Sequence, residues 1–229
     1  MEMERPLTEF NTDDKDTLTA QANGHWLLME ETNDSPLNGM MLFQYTEINQ
    51  CDNYFSATEA SHGASIVRLP TKLGTSPECS VQQLLDHFFG IHDDSHSGVT
   101  APCTNSLHIA KTKRVILSKD ASTVVVKIMG SVWDEGTEKN IKLTDSVAVS
   151  NDISLPVRFD QHQIYSLRSI LLHIGDTDSH GHFISYSFDS MCGGWYSFND
   201  ATVTPLNITE PLTTADVKKN AFLLFYVRQ

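Results

Sequence analysis

The chain has 229 residues, of which 40% are hydrophobic and 20% are charged, a composition typical of folded globular proteins rather than disordered ones. Its formal net charge of −13 disfavours nucleic acid and anionic membranes as partners and suits a basic protein tail, unless the acidity serves only solubility. No apolar run approaches the roughly 18 residues of a membrane helix, and the polar start shows no signal-peptide pattern, so we expect a cytoplasmic or nuclear protein.

The first half of the chain predicts few regular elements. Residues 1–39 are polar and acidic and predict a loosely ordered segment, with one or two helical turns at Trp26–Met29. Strands are predicted at Met40–Ile48 and Ile66–Leu69. In Cys79–Phe89 the apolar residues recur at intervals of three and four, which predicts an amphipathic helix that begins after Ser80 and stops at Gly90.

From residue 114 onwards the pattern indicates strands rich in Val, Ile and aromatic residues. The predicted strands are Arg114–Leu117, Thr123–Met129, Ile141–Val149, Tyr165–Ile174, His182–Phe188, Trp195–Phe198 and Ala221–Val227. A short helix is predicted at Thr214–Asn220, capped by Thr213 or Thr214. Many strands with few helices predict the α+β class, built on an antiparallel sheet.

Residues suited to proton chemistry lie where two of these strands meet. His182 opens one strand after Gly181, and Asn199 and Asp200 end the next. Neighbouring antiparallel strands bring those ends together, so His182 can serve as a general base and Asn199 or Asp200 can fix its tautomer. Taken one by one, the same residues equally fit a surface histidine and a strand that ends in a turn.

The sequence gives little support to a metal site or a cofactor. His92 and His96 are four residues apart, but their Asp-, Ser- and Gly-rich segment predicts a solvated loop rather than a helix that would bring them together. Cys51 and Cys103 each stand alone where tetrahedral zinc needs paired thiolates. We therefore expect neither a metal nor a cofactor.

In this order and spacing, the segments resemble the histidine box of the ubiquitin-specific protease family of cysteine deubiquitinases. The matching pieces are Tyr165–Leu167, His173–Gly175, Gly181–Phe183, Trp195–Tyr196, Phe198–Asp200 and Leu224–Tyr226. The resemblance covers about residues 40–229 and is strongest after residue 160. It implies a papain-like cysteine peptidase fold with an antiparallel palm sheet and fingers, and removal of ubiquitin by isopeptide hydrolysis in a complete enzyme.

The same resemblance implies roles for individual residues. His182 would be the catalytic base, Asn199 the residue that orients it, and Asp200 a neighbour that supports the site. The channel for the ubiquitin tail would be lined by Gly181, Phe183, Trp195 and Tyr196.

The chain also departs from the family pattern. The family's fingers carry two Cys-x-x-Cys pairs, whereas Cys51 and Cys103 are single, so we expect degenerate fingers without zinc. The family's nucleophile lies in a box of the Gly-Asn-Thr-Cys-Tyr kind, which has no counterpart in this sequence. Cys79, near a helix N-terminus, and Cys192, in a loop, are weak alternatives as the nucleophile.

We therefore expect residues 40–229 to form fingers and palm without the thumb that carries the cysteine box. Such a domain is predicted to be inactive by itself, with a protein partner covering the face that the thumb would occupy. The alternative is a non-catalytic ubiquitin-binding or scaffold protein derived from a deubiquitinase.

Overall fold

The computed structural model describes residues 20, 23–24, 26–28, 35–51, 54–76, 78–93, 100–103, 106–109, 112–136, 138–143, 145–157, 161–175, 177, 180–207 and 214–229. The helices are α1 (Pro36–Met41), α2 (Val81–Phe88) and α3 (Ala215–Asn220). The strands are β1 (Phe43–Cys51), β2 (Tyr54–Ala64), β3 (Ile66–Leu69), β4 (Cys79–Ser80), β5 (Ile91–Asp93), β6 (Thr100–Cys103), β7 (Ser106–Ile109), β8 (Thr112–Lys119), β9 (Thr123–Ile128), β10 (Ser131–Asp134), β11 (Lys139–Lys142), β12 (Val147–Ala148), β13 (Asp152–Val157), β14 (Gln161–Ile174), β15 (His182–Asp189), β16 (Gly194–Asn199), β17 (Thr202–Leu206) and β18 (Ala221–Arg228).

The chain divides into two compact units. The first comprises the described residues within 1–65, 87–121 and 155–163. In it, β1 pairs with β2 and with β8, and β8 also pairs with β5, all antiparallel. The hairpin of β6 and β7 completes this unit.

The second unit comprises the described residues within 66–86, 122–154 and 164–229. Its strands follow the order β17-β16-β15-β14-β18-β9-β3, antiparallel except for the parallel pair β3 and β9. The hairpin β10–β11 and the short parallel pair β4–β12 stand apart from that sheet. All residues of the predicted histidine box belong to this unit.

A bulge explains how β14 buries one face from Tyr165 to Leu172. Tyr165 and Leu167 are buried, and so are Ile170 and Leu172, although the two pairs differ in parity along the chain. In a regular strand they would lie on opposite faces, because successive side chains alternate. The register against β18 shifts between Leu167 and Ser169, and this bulge returns the later residues to the core face.

Two predicted helix starts are confirmed by their caps. Ser80 Oγ accepts the amide of Gln83 at 3.2 Å, while the side chain of Gln83 accepts the amide of Ser80 at 2.8 Å, which is a capping box at the start of α2. Thr214 Oγ1 accepts the amide of Val217 at 3.3 Å at the start of α3. Strand β3 has the predicted bounds.

Two predicted strands are wrong in part. Met40 lies in the last turn of helix α1, which ends at Met41, instead of opening a strand, and β1 begins at Phe43. The predicted strand Ile141–Val149 is broken into β11 and β12. Between them the side chain of Asp145 accepts hydrogen bonds from Thr71 and Lys72.

The predicted boundary between residues 39 and 40 stays a prediction. Trp26, Leu27 and Leu28 are helical, as expected. Among the helices built from described residues, none is long and apolar enough to cross a membrane.

Candidate active site

The imidazole of His182 and the amide of Asn199 are in contact at one end of two adjacent strands. His182 is the first residue of β15 and Asn199 the last of β16, and Ser185 pairs with Phe198 across this antiparallel hairpin. That register places His182 and Asn199 on the same face. Nε2 of His182 lies 2.6 Å from Oδ1 of Asn199.

The partner of Nε2 determines which ring nitrogen is basic. An amide oxygen only accepts hydrogen bonds, so Nε2 of His182 must carry the proton that Asn199 receives. In the neutral ring Nδ1 then has a free lone pair. The His182 side chain is 46% exposed, so a proton donor can reach that nitrogen.

Asp200 lies beside the pair but is not hydrogen-bonded to it. Its Oδ2 is 3.9 Å from Nε2 of His182, and its side chain is 81% exposed. Asp200 and Ala201 form the loop between β16 and β17, where Asn199 pairs with Thr202. Asp200 has a φ of 50°, a left-handed conformation that aspartate tolerates better than most residues. It therefore shapes the turn and adds negative charge near the imidazole.

Gly181, which precedes His182, is required by a close contact within the chain. A Cβ atom at this position would lie 2.3 Å from Nε2 of His173 and 2.7 Å from the carbonyl oxygen of Ile174. A buried histidine and a backbone carbonyl of the preceding strand therefore occupy the space that a side chain at this position would need.

The side chain next to His182 points to the opposite face. Phe183 pairs with His173, and their ring centroids are 4.8 Å apart. Phe222 lies 5.6 Å from Phe183 and completes the aromatic cluster. These three rings line a cavity of about 240 Å³.

The cavity is positively charged although the chain is acidic. Four lysines line it: Lys127, Lys142, Lys218 and Lys219. Among the described residues that line it, the one carboxylate is that of Asp145, which is already bonded to Lys72 at 3.2 Å. The net charge of the chain therefore does not describe this surface.

The structure separates the predicted channel residues. Trp195 pairs with Phe188 on the face of His182 and is only 7% exposed. Tyr196 lies on the face of Phe183. Phe183 is 49% exposed and Gly181 is also exposed, so these two offer contact surface to a ligand. The role of all four as a tail channel stays a prediction.

Cys192 is placed and protonated unfavourably for a nucleophile. It lies in the turn that follows β15, at the end opposite to His182, and an eight-residue strand spans more than about 20 Å. A hydrogen bond from its thiol to the carboxylate of Asp189, with the charge of that carboxylate, raises the pKa of Cys192. The thiolate, which is the reactive form, is therefore disfavoured.

Cys79 is buried, with 4% of its surface exposed, and precedes α2 as part of β4. The backbones of Cys51 and Cys103 end β1 and β6, and their side chains lie outside the described part. Among the described residues, no group of three or more His, Cys, Asp or Glu side chains is arranged to bind a metal. The predicted absence of zinc and of a cofactor stays a prediction.

His92 is not in the solvated loop that the sequence predicted. It belongs to β5 and packs edge-on against His87, with ring centroids 4.5 Å apart. Burial, followed by the charge of His92, lowers the pKa of His87, so the neutral imidazole of His87 is favoured. His96 lies outside the described residues.

Comparisons with known proteins bear on the whole chain. A family model described as ubiquitin carboxyl-terminal hydrolase matches residues 7–226. The chain is 27% identical to the ubiquitin carboxyl-terminal hydrolase 17-like protein C of Mus musculus over 128 residues, which is 56% of this chain and 21% of that protein. It is 26% identical to the ubiquitin carboxyl-terminal hydrolase 25 of Arabidopsis thaliana over 151 residues, which is 65% of this chain and 22% of that protein.

The chain is also similar to a solved structure of the SAGA Ubp8/Sgf11/Sus1/Sgf73 DUB module bound to ubiquitin aldehyde. The TM-score is 0.72 at 19% sequence identity, over 93% of this chain and 48% of that chain. This likeness shows the fold, which is α+β and papain-like as predicted. The chain spans about a fifth of the length of these curated relatives and about half of the solved chain.

Proposed function

Because the chain belongs to the ubiquitin carboxyl-terminal hydrolase family, we propose that its deubiquitinase-type domain binds ubiquitin and carries the base and the orienting residue of a cysteine peptidase site, without hydrolysing isopeptide bonds by itself. His182 is the proposed base, Asn199 its orienting residue and Asp200 a supporting neighbour. The channel for the ubiquitin tail is proposed to be lined by Gly181, Phe183, Trp195 and Tyr196.

The contact of 2.6 Å between Nε2 of His182 and Oδ1 of Asn199 carries this proposal. It leaves Nδ1 as the nitrogen that would take the proton of an attacking thiol. No cysteine of this sequence lies in a Gly-Asn-Thr-Cys-Tyr box, and Cys192 is distant and disfavoured as a thiolate. The base half of the site is thus present without an identified nucleophile, and removing a nucleophile abolishes nearly all covalent catalysis.

A hydrolysis assay tests the catalytic part of the proposal. The purified chain, incubated with a ubiquitin C-terminal fluorogenic reporter, is expected to release no fluorophore above a buffer control. Turnover that disappears in His182→Ala would overturn the proposal and identify the chain as an active peptidase. Turnover that persists in His182→Ala would indicate a contaminating enzyme.

A titration tests the binding part. Addition of the chain to isotopically labelled ubiquitin is expected to shift resonances of the ubiquitin tail at micromolar to high micromolar concentration. Phe183→Asp places a charge on the proposed contact surface and is expected to weaken binding at least about tenfold. Val203→Asp, an equally exposed position on β17, is the matched control. Unchanged ubiquitin spectra at high micromolar concentration would contradict recognition of ubiquitin.

The second candidate is a non-catalytic ubiquitin-binding or scaffold protein. The raised pKa of the Cys192 thiol and the burial of Cys79 favour it, because neither group is prepared for covalent chemistry. His182→Ala separates the two candidates. In a catalytic domain that receives its nucleophile from elsewhere, the substitution should abolish hydrolysis. In a scaffold, it should leave the affinity for ubiquitin nearly unchanged.

A protein partner is part of the proposal. The solved module that the chain resembles contains Ubp8 together with Sgf11, Sus1 and Sgf73. We extend to this chain the expectation that another protein covers the side where the cysteine box would pack. Single cysteines without a disulfide pattern suit a reducing compartment, so the cytoplasm or the nucleus is the proposed location.

A further inference from the structure

The ammonium group of Lys142 connects three separate elements of the second unit. From β11, its Nζ donates to the carbonyl oxygens of His173 at 3.0 Å and Gly175 at 2.5 Å, and to Oδ1 of Asn220 at 3.4 Å. A lysine ammonium has three N–H donors, and these three oxygens accept them. One side chain therefore ties the β10–β11 hairpin to the end of β14 and to the end of α3.

The acceptors on β14 lie at the neck of the loop that leads to His182. Gly175 directly follows β14, and a Cβ atom there would lie 2.6 Å from the carbonyl oxygen of His180 and 2.8 Å from the Cα of Gly181. At the other side of the neck, Gly181 touches the ring of His173. The two ends of the segment 175–181 are thus pressed together without side chains between them.

The third acceptor fixes the adjacent strand. The side-chain amide of Asn220 donates to the carbonyl oxygen of Asp216 at 2.9 Å, which leaves its oxygen to accept from Lys142. Asn220 is followed directly by Ala221, which pairs with Leu172 at the start of β18. The ammonium group of Lys142 therefore holds both elements beside the loop neck. It bonds to the end of β14 through the two carbonyl oxygens and to the residue before β18 through Asn220.

We propose that Lys142 is a positioning residue that clamps the neck of the 175–181 loop and thereby keeps the imidazole of His182 in register with Asn199. It acts through the backbone, because Ile174, between its two carbonyl acceptors, pairs with His182. Without the ammonium group the two carbonyls lose a shared cationic donor, and the neck keeps the pairing of Ile174 with His182 and the hydrogen bonds between Thr177 and His180. The consequence for catalysis rests on the proposed function, but the positioning itself does not.

The test uses the full chain, labelled with ¹⁵N, and compares Lys142→Met with the wild type. Methionine has a similar length and no donor, so it removes the hydrogen bonds and keeps much of the apolar contact. We expect amide hydrogen exchange at Gly181 and His182 to be at least about tenfold faster, while the core amide of Val126 in β9 is unchanged. We also expect the ring nitrogens of His182 to shift from a single Nε2–H tautomer towards a mixture.

Lys139→Met is the matched control, because Lys139 is an exposed lysine on the same strand. It should leave both the loop exchange and the His182 tautomer at their wild-type values. Wild-type loop exchange and a wild-type His182 tautomer in Lys142→Met would overturn the proposal. A change of equal size in the core amides would likewise overturn it, since the lysine would then stabilise the domain as a whole rather than position the histidine.

A measurement on the wild type decides the matter if Lys142→Met does not fold. Through-hydrogen-bond couplings between Nζ of Lys142 and the carbonyl carbons of His173 and Gly175 are expected at low temperature, and their absence would overturn the clamp. None of these measurements contains ubiquitin. A negative result for the clamp would therefore say nothing about ubiquitin binding. Likewise, a negative ubiquitin titration would not contradict the clamp.

Discussion

The two faces of strand β15 perform different tasks, although they are separated by a single residue. On one face His182 is exposed and bonds to a polar partner on the neighbouring strand. On the other, Phe183 packs against His173, which is only 8% exposed, beside a lysine-lined cavity. An exposed histidine with a fixed tautomer suits proton transfer, whereas a buried one among rings serves packing.

This difference teaches that residue type alone does not identify the reactive histidine. His173 and His182 both belong to the predicted histidine box and both lie close to Gly181. Their distinct environments arise because side chains alternate along a strand and because one face of the sheet ends beside Asn199. Substitutions that change one face and leave the other unchanged can test this difference between His173 and His182.

The largest effect on stability is expected from Gly181→Ala, because the new side chain would clash with residues of the neighbouring strand. The new methyl group would clash with the ring of His173 and with the backbone of Ile174, and backbone cannot move away cheaply. We expect a loss of about 2–3 kcal/mol in the free energy of unfolding, measured with urea. Gly130→Ala is the control, since nothing lies within 4 Å of its Cβ position, and a loss of similar size there would contradict this account.

A smaller effect is expected from Tyr226→Phe, on the buried continuation of the His182 face. Tyr226 is fully buried and its hydroxyl donates to the carbonyl oxygen of Ser150 at 2.9 Å, so its loss should cost about 1 kcal/mol at neutral pH.

The same tyrosine gives the protein a pH dependence. Burial, with a contribution from the charge of Asp152, raises the pKa of Tyr226 in the folded state. The unfolded chain loses this proton near pH 10, so the stability due to Tyr226 is complete below that pH and falls above it by about 1.4 kcal/mol per pH unit. Denaturation followed from pH 9 to 11.5 should show a steeper loss in the wild type than in Tyr226→Phe. Parallel curves would contradict the burial of the neutral phenol.

Asn199→Ala should change the chemistry of the exposed face with little change in stability. The bond to His182 is exposed, so we expect a loss below about 1 kcal/mol. The ¹⁵N shifts of His182 should move from the Nε2–H tautomer to a mixture. Asp200→Asn is the control: its carboxylate is 3.9 Å from Nε2, beyond hydrogen-bonding distance, so the tautomer should persist. An unchanged tautomer in Asn199→Ala would show that something else orients the ring.

The smallest effect is expected at the end of β15 opposite to His182, where we expect Cys192 to react slowly. The carboxylate of Asp189 stabilises the protonated thiol of Cys192, so alkylation of this residue by iodoacetamide should need a higher pH than that of an ordinary cysteine. Asp189→Asn removes the negative charge and should speed alkylation a few-fold at pH 8, measured for this peptide by mass spectrometry. If the pH midpoint of alkylation lies below that of a free cysteine, Cys192 becomes a candidate nucleophile again.

Local sequence signals predicted much of the second unit. The caps at Ser80 and Thr214 depend on residues within one helical turn, and both occur as expected. The strands around His182 and Asn199 follow from alternating small and aromatic residues, so the meeting of these two side chains could be anticipated. Met40, by contrast, is as apolar as a strand residue, and nothing local showed that it would lie in α1.

Other features depended on contacts that are distant in the sequence. Where the predicted strand Ile141–Val149 is interrupted, Asp145 accepts hydrogen bonds from Thr71 and Lys72, which are more than 70 positions away in the chain. The acceptors of the Lys142 ammonium group are 31, 33 and 78 positions away in the chain. No periodicity or motif in a single sequence indicates such partners.

By itself the sequence determined the α+β class, the family resemblance and the pairing of an imidazole with an amide, because each depends on local residue patterns and on their order along the chain. Only the tertiary structure decided that Gly181 makes room for His173, that the lysines gather around one cavity and that Lys142 ties the loop neck. These arise where segments far apart in the chain are brought together by burial of a common core, and that placement is a property of the whole fold.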